Sequence, residues 1–153
     1  MIHSITENDL NLSEGTKVPV ISYPIETLLQ VCEFKVDDPR VKDDNFKIKT
    51  AFPRFETMRL FYLGKRTYYE EVVKEMLKEG YRPSNAEESI CYGAYGSYFK
   101  DLMHILTLGT EAKIFGEAII LQFTFLKDSR AINTAYKNIQ YLDYCHFLGT
   151  KIT

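Results

Sequence analysis

The chain has no tryptophan, three cysteines and no long apolar run. Each shortage excludes something. The longest apolar stretch, Ala118 to Leu126, is interrupted by Gln122 and Thr124, well short of the roughly 20 residues a membrane-crossing helix needs. Cys32, Cys91 and Cys145 are too few and too dispersed for a disulfide framework. No Cys-x-x-Cys pair occurs, so neither a zinc ribbon nor a thioredoxin-type site is supported. Met1 to Leu12 is polar and acidic and lacks the basic start and apolar stretch of a signal peptide. These features together predict a reducing, cytoplasmic setting without a membrane partner. Gly-x-Gly-x-x-Gly, Walker-type, Gly-x-Ser-x-Gly and His-Glu-x-x-His patterns are all missing. Charge of one sign is also scarce: 19 Lys and Arg face 21 Asp and Glu, a net charge of −2. A nucleic-acid surface would need a basic patch. It would have to be assembled by folding Arg54, Arg59, Lys65 and Arg66 onto one face.

What is present describes a folded domain. The 153 residues are 45% apolar and 26% charged, an ordinary globular balance for one domain. Aromatic content is distinctive, with 11 Tyr and 10 Phe. Residues 1–17 carry little periodicity and predict an extended lead-in. Val18 to Tyr23 is β-prone. Ile25, Leu28, Leu29 and Cys32 then fall at helical spacing behind Pro24, which suits a first helical turn, and a helix is expected over about 24–33. Residues 35–50 mix both charge signs. Their two Asp-Asp pairs lack the central Gly and closing Glu of a calcium loop, so a solvated loop and no metal site are expected.

Phe55 to Leu63 reads as a strand feeding a turn at Gly64-Lys65. Thr67 and Glu70 have capping-box spacing, and Tyr69, Val72, Val73, Met76 and Leu77 form an apolar stripe. Glu70 and Lys74 add a favourable i,i+4 pair. Gly80 fits the left-handed position after a helix, with Tyr81 packing back on Met76. Ser84 and Glu87 repeat the capping spacing, predicting a second helix over about 85–94. Ile105 to Leu108, closed by Gly109, is a strand candidate. Glu117 to Leu126 is the strongest strand, with Leu121, Phe123 and Phe125 alternating against Gln122 and Thr124. Lys127 to Lys137 reads as a polar connection. Ile139 to Leu142 and Tyr144 to Ile152 supply one or two closing strands. The expectation is a single α+β domain: an antiparallel sheet packed against two or three short helices.

Gly80 to Tyr98 reads Gly-Tyr-Arg-Pro-Ser-Asn-Ala-Glu-Glu-Ser-Ile-Cys-Tyr-Gly-Ala-Tyr-Gly-Ser-Tyr. This stretch resembles an element of an uncharacterised family of small phage and bacterial proteins, roughly Gly-Tyr-Arg-Pro-Ala-x-x-Glu-Glu-Leu. Ile105 to Thr110 and Phe147 to Lys151 are similar to that family's later strand ends. Ser84 and Ser89 depart from its usual Ala and Leu, and its later tryptophans are absent. The helix start and closing strand also bear a faint similarity to C-type-lectin-like domains. The resemblance implies a phage or mobile-element origin and a shared fold, without a reaction.

The candidate residues divide by chemistry. Arg82 has a guanidinium suited to clamping a carboxylate or phosphate, or to an internal bridge with Glu87 or Glu88. Arg82, Glu87 and His104 in one cleft would give the alternative reading, a small enzyme or nucleotide-binding protein. Cys145 and His146 would point to opposite faces of a strand, a poor nucleophile–base pair. Tyr95, Tyr98, Tyr141 and Tyr144 have no assigned core role, and tyrosine is favoured at interfaces. Tyr69 and Tyr92 read as core. The leading expectation is therefore a non-catalytic protein-binding domain, in its concrete form an anti-defence (anti-CRISPR-like) inhibitor of a host protein. Arg82, Tyr95, Tyr98, Tyr141 and Tyr144 would form its binding residues. No catalytic residue, metal or cofactor is assigned, the partner is a host or phage protein, and a homo-oligomer stays open.

Overall fold

A computed structural model describes residues 15–95, 102–126 and 129–153. Within them the chain runs β1 (Thr16–Val20), α1 (Ile25–Val31), β2 (Lys35–Val36), β3 (Arg54–Phe61), α2 (Tyr69–Lys78), β4 (Tyr81–Pro83), α3 (Ala86–Tyr95), β5 (Met103–Ile114), β6 (Glu117–Leu126), β7 (Ser129–Tyr136) and β8 (His146–Lys151). The eight strands form one sheet in the order β1-β3-β8-β5-β6-β7-β2, with β4 also paired to β8. The α+β class follows directly. All pairings are antiparallel except β5 with β8 and β2 with β7. No helix of the described residues is long and apolar enough to cross a membrane.

The sheet is apolar on both faces, so it carries two cores. On one face Ile25, Leu28 and Leu29 of α1 and Ala86, Ile90 and Tyr92 of α3 pack on Met58, Ile105, Leu121, Phe123 and Leu148. On the other, Val72 and Met76 of α2 meet Phe61, Leu106, Ile120 and Phe147, joined by Tyr141 and Cys145. The period-2 alternation of β6 sends Leu121, Phe123 and Phe125 into the first core, as its sequence predicts.

β8 is the hub. β3 lies along one of its edges, while β5 and β4 share the other. The handover between them requires β5 to leave, and its register against β6 shifts between Thr107 and Glu111. There the Gly109 N–H donates to the Ser84 carbonyl (2.9 Å), and the Ser84 N–H donates to Leu148 O (3.0 Å). A Cβ on Gly109 would sit 2.3 Å from that Ser84 oxygen, so only glycine permits the approach.

Backbone pairing also moves both helix starts by one residue. The expected cap Thr67 instead pairs its backbone with Tyr141 (3.2 and 2.7 Å), and Tyr68 becomes the N-cap, its N–H donating to Glu71 Oε1 (3.2 Å). Ser84 is likewise held by β8 and buried. Asn85 caps α3 in its place: Asn85 Oδ1 accepts from Glu88 N–H (2.9 Å), and Glu88 Oε1 accepts from Asn85 N–H (3.0 Å). In both cases a backbone pairing, with the isolated Tyr141 bridge for Thr67 and with β8 for Ser84, claims the hydroxyl residue, and the cap falls to its neighbour.

Three other expectations change. Residues 129–136 form β7 rather than a polar connection, because one buried residue, Ile132, and the β6 ladder suffice to hold them. The 35–50 segment is not simply solvated: Val41 and Phe46 join the core, and Asp38 is buried. Arg40 Nε and Nη2 and Thr134 Oγ1 donate to the Asp38 carboxylate, whose pKa they hold far below the ordinary aspartate value. Ile139 to Leu142 contributes only the Tyr141 bridge to Thr67, leaving β8 as the one closing strand of the described residues. In α2, Leu77 faces solvent instead of completing the stripe. Gly80 does adopt the left-handed conformation (φ 80°), and Tyr81 and Met76 share one core.

Candidate functional site

The richest polar constellation lies where β4 meets the start of α3. Arg82 is placed by β4 pairing with β8, and Glu88 by its capping role one turn into α3. Arg82 Nη1 and Nη2 donate to Glu88 Oε1 and Oε2 at 2.9 and 2.7 Å, a two-pronged pair. Thr150 Oγ1 adds a third donor at 3.0 Å and stands 2.7 Å from Ser84 Oγ. The Glu88 side chain is 0% exposed, that of Arg82 40%. Burial by itself would raise the Glu88 carboxyl. The hydrogen bonds from Arg82, the Asn85 amide and Thr150 outweigh it and leave the group below the ordinary glutamate pKa.

A second layer surrounds this pair. Arg54 Nε binds Glu56 Oε2 (3.0 Å), while its Nη2 lies 3.6 Å from Glu87 and 3.7 Å from Glu88. Ser22 Oγ donates to Glu87 Oε2 at 2.5 Å. The network thus ties β1's exit, β3, β4, α3 and β8 together, and each of its acidic and basic groups already has a partner. That describes a brace. Glu87 looks toward Ser22 and Arg54, Arg82 toward Glu88, and His104 toward the ring of Tyr144 (5.2 Å). Burial lowers the His104 pKa. The structure gives these three residues separate partners rather than a common cleft.

The basic residues are also dispersed. Arg54 and Arg59 leave β3 on opposite faces, Arg54 toward Glu87 and Arg59 over the Phe61 ring (4.4 Å). A groove of about 620 Å³ runs between the end of β3 and α2. Its carboxylates are neutralised locally: Glu79 by Arg59 (3.6 Å), Glu71 by Lys65 (3.5 Å) and Glu75 by Lys78 (3.0 Å). It offers no net charge to a ligand. No group of three or more potential metal ligands occurs among the described residues.

The tyrosines separate. Tyr141 is 2% exposed; its hydroxyl donates to Lys137 O (2.5 Å), its ring lies 5.6 Å from that of Phe147, and burial raises its pKa. It is a core residue and leaves the proposed binding surface. Tyr95 ends α3 at 51% exposure, and Tyr144 is 50% exposed. Tyr98 lies outside the described residues. Tyr95 and Tyr144 belong to the same end of the sheet. Arg130, opposite Phe125 in the β6–β7 ladder, donates to Ala94 O (3.4 Å), and Tyr144 rests on His104 near the start of β5.

At the opposite end stands a residue that sequence reasoning passed over. β5 and β6 are joined by the two-residue turn Phe115-Gly116, flanked by the Ile114–Glu117 pair. Both turn residues have positive φ, 51° and 80°, which defines the type I′ family that asparagine and glycine favour. The Phe115 side chain is fully exposed, at 101% relative accessibility. The available signal was the dipeptide itself: Phe-Gly between two β-prone runs puts a bulky residue where Asn-Gly would be expected.

Comparison of the chain with family models, curated proteins and solved structures found no match.

Proposed function

We propose that this chain is a non-catalytic protein-binding domain, and that Phe115 at the β5–β6 tip is its anchor. One observation carries the reading: a large aromatic side chain is held fully in water, on a backbone conformation that disfavours it. Neither feature helps the isolated fold. Strain of this kind persists where a site uses it, and aromatic anchors dominate protein interfaces.

The flanks indicate the type of partner. Lys113 and Glu117 beside the tip are exposed and opposite in sign. A membrane or nucleic-acid wedge would favour cations on both sides, whereas a mixed pair suits the polar rim of an apolar protein pocket. The polar constellation at Arg82 is internally paired and supports the anchor's scaffold rather than a reaction. The resemblance of Gly80 to Tyr98 to small phage and bacterial proteins makes inhibition of a host defence protein the first form to test. Tyr95 and Tyr144 at the far end would belong to a second contact.

The test starts with a photoreactive benzoylphenylalanine at position 115, cross-linked in candidate host extracts and followed by binding with the purified captured protein. Phe115→Asn should weaken that binding about 30-fold or more, since an interface anchor is worth about 2 kcal/mol. Equal binding by wild type and Phe115→Asn would refute the anchor. Loss of binding in Tyr95→Ala with Tyr144→Ala, but not in Phe115→Asn, would move the interface to the other end of the sheet.

A further inference from the structure

The far half of β3 has an open edge. β1 pairs with β3 only from Arg54 to Met58, and beyond Met58 no strand of the described residues lies on that side. Pairing stops where Gly15 leaves the extended region, at φ 94°. Two fixed points give the direction of the unpaired groups. Pro19, which has no N–H, stands opposite Phe55. That pair is therefore a non-bonded one, and alternation turns the backbones of Glu56, Met58 and Leu60 toward the β1 side. Leu148, opposite Leu60 in β8, gives its carbonyl to Ser84 N–H on the far side (3.0 Å), so β8 does not use the Leu60 backbone either. Leu60 presents both its N–H and its C=O outward. Two other edges of the sheet are blunted, as native sheets blunt them. On β1 the residue turned outward is Pro19, with no N–H to offer. Past the end of β2, the Thr134 N–H of β7 is taken by Asn133 Oδ1 (2.8 Å). Leu60 carries neither device.

The same edge borders the groove of about 620 Å³ between β3 and α2. Successive residues from Arg59 to Leu63 line it. Neighbouring strand residues alternate faces, so this wall is the edge of the strand rather than one of its faces. Glu71, Lys74 and Glu75 of α2, with Glu79 at its end, form the other wall. We propose that the groove takes an extended, uncharged apolar segment of a partner protein, which adds to β3 as a further strand beside α2. Strand addition draws affinity from main-chain hydrogen bonds, here to Leu60. The groove's own charges set the character of the segment. Glu79, Glu71 and Glu75 are held by Arg59, Lys65 and Lys78, so the site selects a main chain and not an ion. Leu60 and Leu63 are half-buried and Tyr62 is exposed, offering apolar contact along the strand. The site is separate from Phe115. Tyr62 stacks on His146 (4.7 Å), which pairs with Ile105 near the start of β5, while Phe115 lies beyond the end of β5.

The test uses the full-length chain and peptides of about ten residues selected on it from a random displayed library, long enough for one strand. Binding is followed by fluorescence anisotropy. The selected peptides should be poor in charged residues. N-methylation along one of them should act with a period of two: about tenfold or greater loss at the residues whose N–H faces Leu60, and little change at their neighbours. The Leu60 amide resonance should shift on binding and its hydrogen exchange should slow. Leu60→Pro removes the outward N–H and leaves the ladder with β8 intact; it should weaken binding about tenfold or more, with the circular dichroism spectrum unchanged. The N-methyl scan alters only the peptide, so it decides the question even where Leu60→Pro fails to fold. An N-methyl pattern without a period of two, selection of highly charged peptides, or full binding by a folded Leu60→Pro would each overturn the proposal. So would a library that yields no peptide binding more tightly than about 100 µM. A dimer in sedimentation that Leu60→Pro abolishes would assign the edge to a second copy of the chain and overturn it in favour of self-association.

Discussion

Replacing Phe115 with asparagine should make the isolated protein more stable. In water the Phe115 ring is as exposed as in an extended chain, so its removal forfeits almost no burial on folding. Its backbone, at φ 51°, lies in the left-handed region, which costs an ordinary L-residue about 1 kcal/mol and asparagine less. The net gain should be about 0.5–1 kcal/mol. For a domain of this length, 1 kcal/mol moves the thermal midpoint by about 2–4 °C, so a rise of roughly 1–4 °C is expected. Urea unfolding should show a higher midpoint at unchanged slope, because the surface exposed on unfolding hardly changes. Phe115→Ala is the control: it removes the ring but leaves a side chain that still dislikes the turn, and should be nearly neutral. A midpoint lowered in both variants would show that the ring makes stabilising contacts within the chain. That result would remove the reason for assigning Phe115 to a partner, whatever binding measurements then gave.

Two further substitutions probe the scaffold. Glu88→Gln keeps an acceptor for Thr150 and the Asn85 amide but loses the charged pair with Arg82. With Arg82 partly hydrated, the cost should be about 2 kcal/mol at neutral pH. Since the folded Glu88 pKa is depressed, its contribution is complete above the unfolded glutamate value near about 4.3 and fades as pH falls through the lower folded value. The stability difference between wild type and Glu88→Gln should therefore shrink below about pH 4; a difference that stays constant down to pH 2 contradicts the ion-pair account. Gly109→Ala places a Cβ 2.3 Å from Ser84 O and 2.7 Å from Pro83 O, both backbone atoms with little freedom to yield. It should cost about 2–3 kcal/mol in urea unfolding, and a neutral result would show that the β5–β4 junction is looser than its hydrogen bonds imply.

The parts of this fold that could be read in advance are those in which local pattern and tertiary demand agree. The stripe Ile25, Leu28, Leu29 marked α1 because those side chains face the core at helical spacing. The alternation of Leu121, Phe123 and Phe125 marked β6 for the corresponding reason in a strand. Disagreement begins where a distant backbone partner competes for a residue. Thr67 and Ser84 have the right chemistry and spacing to cap α2 and α3, but β-pairing with Tyr141 and Leu148 takes their backbone first. Capping by Tyr68 and Asn85 follows from that competition, which no local window contains. β7 was hidden for a related reason: Ile132 is its only fully buried residue, and its ladder with β6 supplies what its own composition does not. For the candidate site the limit is sharper still. Tyr141 and Tyr144 are three residues apart and chemically identical, yet one is walled in by Thr67, Lys137 and Phe147 and the other is half exposed. Nothing in their spacing distinguishes them, because the difference is made by partners 74 positions upstream, at Thr67, and six positions downstream, at Phe147. Phe115 is the opposite case. Its anomaly is entirely local, a phenylalanine in a turn that asks for asparagine, and it becomes visible once the two strands beside it are recognised as a hairpin. A residue whose local rule is broken without a compensating contact among the described residues is the best place to look for a contact with another chain.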